Sequence, residues 1–311
     1  MYLVGIDIGG TTVKMGILTP EAKIIEKWEI PTDTSDGGTK ILPDIAKSLK
    51  EHLANRGISN EELMGIGFGV PGPVKNSIVS HCVNLGWDDI DVPKLFSKYF
   101  PCDARIVAGN DANVAAYGEY RTNSDKTINS VVMITLGTGV GGGIIVDGRP
   151  IDGANGAAGE FGHVHVDDEF NFTCNCGAVG CLETVASGRG MRNMALVLAH
   201  GKKTTLNSYD PALLTCKEVF DEAEKGDEAS IEAVEKFGHY LGMATANVAA
   251  AIDPECIIFG GGVSRAGQPL LDLVLKYHKK YVFKGCKNTK FALAKLGNDA
   301  GIVGAALLST I

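Results

Sequence analysis

The sequence predicts an α/β protein built from a duplicated βββαβα unit, with two glycine-rich phosphate loops facing each other across a cleft. Two observations carry that prediction. An apolar run, a Gly/Thr turn and a second apolar run occur twice, at Leu3–Leu18 and at Val131–Val146. In each cycle helical spacing and further buried strands follow, which is the pattern of a sheet covered by helices. A third observation adds a metal: Cys174, Cys176, Cys181 and His163 fall within twenty residues. Three thiolates and one imidazole make a closed tetrahedral zinc site.

The first cycle begins with strands at Leu3–Ile8, Val13–Leu18 and Lys23–Ile30. The turn Gly9-Gly10-Thr11-Thr12 presents bare amides and two hydroxyls, with Lys14 close behind, and such a turn can cradle phosphate oxygens. An ordinary glycine hairpin has the same pattern. Asp7, on the strand that enters the turn, would sit near a phosphate-bound Mg²⁺. Ile41, Ile45, Leu49 and Leu53 have helical spacing within Thr39–Arg56, and Gly57 stops that helix. Leu63–Val70 is a buried strand that leads into the stiff loop Pro71-Gly72-Pro73. Val92–Phe100 reads as a short helix, Ala104–Ala108 as a strand, and Ala112 to about Tyr120 as a helix. Asp111 therefore stands where a strand ends and a helix starts. One reading is a helix N-cap; the other is a carboxylate held at the open end of a sheet, where α/β proteins place ligands.

The second cycle has a strand at Val131–Leu136, a loop at Gly137–Gly143 and a return strand at Ile144–Val146. Gly137-Thr138-Gly139-Val140-Gly141-Gly142 fits G-x-G-x-x-G, but no helix follows, so the dinucleotide fingerprint is rejected. Next come the metal ligands. Gly177 and Gly180 let the chain fold back between Cys176 and Cys181. Glu160 and Glu183 flank the ligands, so a metal would fix two acidic side chains as a substrate platform. A zinc knuckle that serves folding alone, or a disulfide, remains an alternative, and His165 could replace His163. Beyond this stretch, helices are expected at Glu183–Val197, broken near Gly188 and Gly190, then at Lys217–Lys225, Glu228–Ala251, Leu270–Tyr281 and Ile302–Leu308. Glu255–Phe259 and Lys290–Leu296 read as strands. The turn Gly260-Gly261-Gly262 could let a flat adenine ring lie on bare backbone; a plain strand-to-helix turn is equally consistent.

Composition narrows the function. The chain has 311 residues and a formal net charge of −8. An acidic chain without a Lys/Arg cluster is a poor nucleic-acid or anionic-membrane binder. No signal peptide and no membrane span are expected. Cys82, Cys102, Cys216, Cys256 and Cys286 have no obvious partners, which together with a thiolate site fits a reducing cytoplasm.

Seven strings in order, Asp7-Ile8-Gly9-Gly10-Thr11, Pro71-Gly72-Pro73, Asn110-Asp111-Ala112-Asn113, Leu136–Gly143, Gly159-Glu160-Phe161-Gly162-His163, Cys174-x-Cys176-Gly177-x-x-Gly180-Cys181-x-Glu183 and Gly260–Ser264, resemble those of the ROK family of bacterial sugar kinases, open reading frames and repressors. Within it the chain is most similar to the ATP-dependent glucokinases, over nearly its whole length. The resemblance implies an actin-like ATPase (ribonuclease H-like) fold with two domains around a cleft and a zinc-binding loop. Residues 1–110 with 297–311 would form the smaller domain, and residues 111–296 the larger. It implies phosphorylation of glucose at the 6-hydroxyl by ATP, with Mg²⁺ and a structural Zn²⁺. Asp111 would be the general base. Gly72, Asn110, Glu160, His163 and Glu183 would contact the sugar, with His163 using its second ring nitrogen for zinc. Asp7, Gly9, Gly10, Thr11, Thr12, Lys14, Thr138 and Gly139 would serve the phosphates, and Gly261 and Gly262 the adenosine. The zinc ligands would be His163, Cys174, Cys176 and Cys181. Homodimers are usual in the family and tetramers occur. N-acetylmannosamine, N-acetylglucosamine and fructose kinases share these motifs. A sugar-sensing repressor is disfavoured, because the first phosphate loop begins at Gly9 and leaves no room for a preceding helix-turn-helix. A polyphosphate-dependent kinase should show a basic groove, which the sequence lacks.

Overall fold

Both Gly/Thr turns join pairs of strands. The first lies between β1 (Tyr2–Ile8) and β2 (Thr12–Leu18), the second between the later strands Val131–Leu136 and Val140–Val146. These positions come from a computed structural model that describes residues 1–311. The chain divides into one unit of residues 1–129, 143–159 and 295–311, and another of residues 130–142 and 160–294.

In the first unit β1 and β2 pair with β3 (Ile24–Pro31) as an antiparallel meander. Strands β4 (Leu63–Val70) and a later strand, Arg105–Asn110, extend β1 on its other side in parallel. Strands that bury both faces read as continuous apolar runs, and Leu3, Val4, Ile6 and Ile8 of β1 are all buried. The helix Ile41–Arg56 covers one face through Ile41, Ile45, Leu49 and Leu53, the stripe read from the sequence. Helices Asp111–Thr122 and Ala300–Leu308 pack together, and Ala300–Leu308 lies on β1 and β4. Between these elements sits a small antiparallel sheet that the sequence reading missed: β5 (Val74–Lys75), β6 (Ile78–Cys82) and β7 (Trp87–Asp91). Its strands are two to five residues long, too short for periodicity to register. The Arg105–Asn110 strand is β8.

In the second unit β9 (Val131–Leu136), β12 (Cys256–Gly260) and β13 (Lys290–Leu293) are parallel neighbours with β12 in the middle. This repeats the β1-β4-β8 arrangement. Strand β10 (Val140–Val146) starts in this unit and runs into the first, where it pairs with β11 (Arg149–Pro150). It begins four residues before the predicted return strand, so the loop is only Gly137–Gly139. Gly143 belongs to the strand because a Cβ there would come within 2.7 Å of the Ala112 carbonyl oxygen. Glycine in this strand marks a close helix approach rather than a loop.

The helices of the second unit surround Glu228–Ile252, whose neighbours are Gln268–Tyr281, Cys216–Glu224 and Gly188–Ala199. Its buried face runs through Ala233, Phe237, Leu241 and Ala244, while Ile231 is 41% exposed. The predicted Glu183–Val197 helix is two helices, Leu182–Ala186 and Gly188–Ala199. They break at Ser187, which leaves helical geometry and accepts the Gly190 amide as an N-cap. The short helix after β7 stops at Phe96 rather than Phe100. No helix is long and apolar enough to cross a membrane.

Candidate active site and metal centre

In the first unit Asn110, not Asp111, is the helix cap. Asn110 ends β8, and its Oδ1 accepts the amides of Ala112 and Asn113 at 3.0 and 3.1 Å. Its Nδ2 donates to the Gly72 carbonyl at 3.0 Å. One buried side chain thus ties the Pro71-Gly72-Pro73 loop to the helix start. Gly72 has φ +93°, a conformation that glycine adopts readily. Asp111 is the first helical residue, where negative charge is favoured, and its Oδ1 accepts the Ala112 amide at 2.8 Å. The two readings of Asp111 therefore separate: the cap is its neighbour, and Asp111 is a carboxylate at the end of the sheet.

Asp7 belongs to the same group. A Cβ on Gly69 would lie 3.5 Å from Asp7 Oδ1 and 3.7 Å from the Asp111 Cα, so both acids flank one glycine of β4. Burial pushes the Asp7 carboxyl above its usual range, and the Lys14 ammonium pulls it down. Lys14 is the cross-strand partner of Asp7. A half-buried carboxylate at a strand end beside a glycine turn suits a cation, which would offset the cost of burial. The turn itself is closed by the Gly9 amide on the Thr12 carbonyl at 3.0 Å, and Thr32 donates to the Gly9 carbonyl at 2.7 Å. Gly10 and Thr11 form its tip.

In the second unit the four expected metal ligands converge. One ligand atom from each of His163, Cys174, Cys176 and Cys181 lies within 4.8 Å of the others. Cys174 Sγ is 3.6 Å from His163 Nδ1, and Cys176 Sγ is 3.7 Å from Cys181 Sγ. All eight cysteines are free thiols. His165, the alternative ligand, is engaged elsewhere: Nδ1 meets the Val179 carbonyl at 3.1 Å and Nε2 meets Asp168 at 3.0 Å. Gly180, at φ +76°, packs its Cα against the Asp167 carbonyl and the His165 ring. Burial and the neighbouring thiols push the Cys181 thiol up to about 12. A bound Zn²⁺ would supply the charge that keeps such a thiol as thiolate. The residues present fit zinc.

With Nδ1 turned toward Cys174, the His163 ring directs Nε2 outward, 3.9 Å from Glu160 Oε2. Glu183 does something the sequence did not disclose. Its Oε2 accepts the Val140 amide at 3.0 Å and its Oε1 lies 4.0 Å from Cys174 Sγ. It also packs against Gly139, where any Cβ would collide with the carboxylate. Arg189 stands 3.6 Å away. The Gly137–Gly139 loop is held further by the Gly188 amide, which donates to the Gly137 carbonyl at 2.8 Å. Gly261, at φ +84°, lies against the Leu136 backbone, so the Thr138, Gly139, Gly261 and Gly262 turns are adjacent.

Two residues of this region were missed. Asp167 is fully buried and accepts the amides of Glu169, Phe170 and Asn171 and the Tyr240 hydroxyl, anchoring the metal loop to the long helix. Arg189 has no motif of its own. Only the excess of carboxylates in the loop hinted that some were structural.

The sequence profile of the ROK family matches residues 3–310. A glucokinase of Halalkalibacterium halodurans is 41% identical, over 97% of this chain and 93% of its own length. An N-acetylmannosamine kinase of Escherichia coli O157:H7 is 29% identical, over 99% of this chain and 98% of its own. Among solved structures, a ROK family glucokinase from Streptomyces griseus in complex with glucose and AMPPNP superposes with a TM-score of 0.75 at 30% identity, covering 99% of each chain.

Proposed function

The chain belongs to the ROK family, and from that premise we propose that it phosphorylates glucose at the 6-hydroxyl with ATP, giving glucose 6-phosphate and ADP. That it is an ATP-dependent sugar kinase follows from the family and its kinase relatives. The choice of glucose rests on one observation, the 41% identity to a glucokinase against 29% to an N-acetylmannosamine kinase.

In this reading Asp111 takes the proton from the sugar 6-hydroxyl as that oxygen bonds to the γ-phosphorus of ATP and ADP leaves. Asn110 orients the base through the cap and the Gly72 tether. Glu160 and His163 Nε2 accept or donate to ring hydroxyls, and Glu183 is assigned to the same sugar. Gly9–Thr12 with Lys14, and Thr138 with Gly139, receive the phosphates; Gly261 and Gly262 receive the adenosine. A Mg²⁺ ion carried with ATP would neutralise phosphate charge, with Asp7 as the residue placed to hold it. Zn²⁺ would be held by His163, Cys174, Cys176 and Cys181, which fixes the His163 tautomer. A homodimer in a reducing cytoplasm, within carbohydrate metabolism, is the setting we assign.

A panel of glucose, fructose, N-acetylglucosamine and N-acetylmannosamine with ATP, read by coupled ADP release, tests the reading. Glucose should give the highest kcat/KM. A higher value for either acetamido sugar sinks the glucose assignment and leaves an N-acetylhexosamine kinase.

A further inference from the structure

A cavity of about 550 Å³ opens in the first unit, within the size range of small-molecule sites. One wall is the face of β8 that carries Arg105, Val107 and Gly109, alternate residues of a strand. The β10–β11 turn also lines the cavity, with Asp147, Arg149 and, just beyond it, Asp152. Leu308 of the last helix adds an apolar surface next to Gly109.

Three features mark this cavity as a built site. Arg105, Arg149, Asp147 and Asp152 all line it, and none of these side chains makes a hydrogen bond or an ion pair. Charges of both signs therefore line one space without pairing with each other. Asn113 also lines it, is only 2% exposed, and leaves its Nδ2 without a hydrogen-bond partner. Buried donors are ordinarily satisfied. Asp152 is half-buried, and burial alone pushes its carboxyl above the usual range.

The charge balance selects the ligand. A phosphate ester would meet the carboxylates of Asp147 and Asp152, and an amine would meet two guanidiniums. A metal ion would want three clustered ligands, and the Cys/His group of the second unit is the one such cluster in the chain. Vicinal hydroxyls suit all four groups: they donate to carboxylates and accept from the planar guanidinium fork. The apolar surface of Val107 and Leu308 suits the C–H face of a sugar ring. We propose that this cavity is a second carbohydrate site, for a neutral sugar, separate from the kinase site.

Equilibrium dialysis of the full chain with radiolabelled glucose, galactose, maltose and sucrose tests this, each repeated with Arg105→Ala and Arg149→Ala. Both arginines are exposed, so the variants should fold, and circular dichroism checks that. The same samples are assayed for ATP-dependent turnover, so a failed glucose assignment and a failed cavity assignment give different results. For at least one sugar the wild type should bind one equivalent more than either variant, with affinity at that added site falling at least about tenfold on loss of an arginine and turnover unchanged. Equal stoichiometry in wild type and variants for every sugar overturns the proposal. So does an added site that survives both substitutions. Binding of inorganic phosphate that depends on both arginines, with no such sugar binding, overturns the ligand class.

Discussion

The Val140 amide donates to Glu183 Oε2 at 3.0 Å, and the same carboxylate lies 4.0 Å from the metal-ligand sulfur of Cys174. One side chain therefore joins the Cys/His cluster to the Gly137–Gly139 turn, and both belong to the same unit. A sugar-binding glutamate alone would not need this geometry.

From that link, Glu183→Ala should raise the KM for ATP as well as for sugar. It leaves the Val140 amide without its partner, and a hydrogen bond to a charged group contributes about 1.5–3 kcal/mol. Glu183→Gln keeps an acceptor for the amide and should restore the ATP KM while sugar affinity stays impaired. Steady-state kinetics against each substrate separate these outcomes. An unchanged ATP KM in Glu183→Ala would show that the carboxylate serves the sugar alone.

Asp111→Asn should keep the fold, because asparagine accepts the Ala112 amide as aspartate does and Asn110 still caps the helix. Turnover should fall by at least about 10²-fold, the usual contribution of a general base. Asn110→Ala should behave differently. It removes two cap hydrogen bonds and the Gly72 tether, so it should lower stability by about 1 kcal/mol and reduce kcat through misplacement of Asp111. Thermal melts and kcat on the two variants give the contrast; retention of wild-type turnover in Asp111→Asn would remove it from the catalytic role.

The sequence disclosed what is local and periodic. The Ile41–Leu53 stripe and the apolar strands β1, β4, β9 and β12 were legible because spacing determines them. Three cysteines with a nearby histidine were legible as a metal site, although spacing left His163 and His165 open until the structure turned His165 away. What escaped depends on contacts remote in sequence. The β5–β7 sheet is too short to show alternation. Gly143 reads as loop until the helix against it is known. Asn110 and Asp111 are both good caps by composition, and only the backbone shows that the first one takes the role. Asp167 and Arg189 act through partners at Tyr240 and Glu183, and no spacing rule connects those pairs.

His278 gives a pH prediction. It is 2% exposed between the Glu228–Ile252 and Gln268–Tyr281 helices, with Nδ1 at 3.1 Å from the Thr245 hydroxyl, Phe291 against the ring, and no partner on Nε2. Burial lowers its pKa below the usual 6.5. The unfolded chain therefore binds the proton more tightly, and stability is full above about pH 6.5 and falls as pH drops below it. His239, also lowered by burial, adds to the same slope. Melting temperature should fall between about pH 7 and pH 5, and His278→Gln should flatten that fall. An unchanged slope in the variant would show that other groups set it.

Metal removal tests the arrangement around His163 directly. The Nδ1 atom faces Cys174 and Nε2 faces Glu160, so coordination at Nδ1 would leave the proton on Nε2 and fix the ring for a hydroxyl. Without the metal both tautomers are available, and the thiols of Cys174 and Cys181 are buried beside each other with no cation to hold them. One zinc per chain should co-purify, measured by elemental analysis. Chelation, or Cys176→Ser, should raise the sugar KM by about 10–100-fold, the usual effect of disturbing the groups that orient a metal site. The ATP KM should rise less, because it is reached only through Glu183. Zinc should also leave as pH falls, since protons compete with the metal for the thiolates. A protein without zinc that binds sugar at full affinity would reduce the cluster to four side chains that happen to meet.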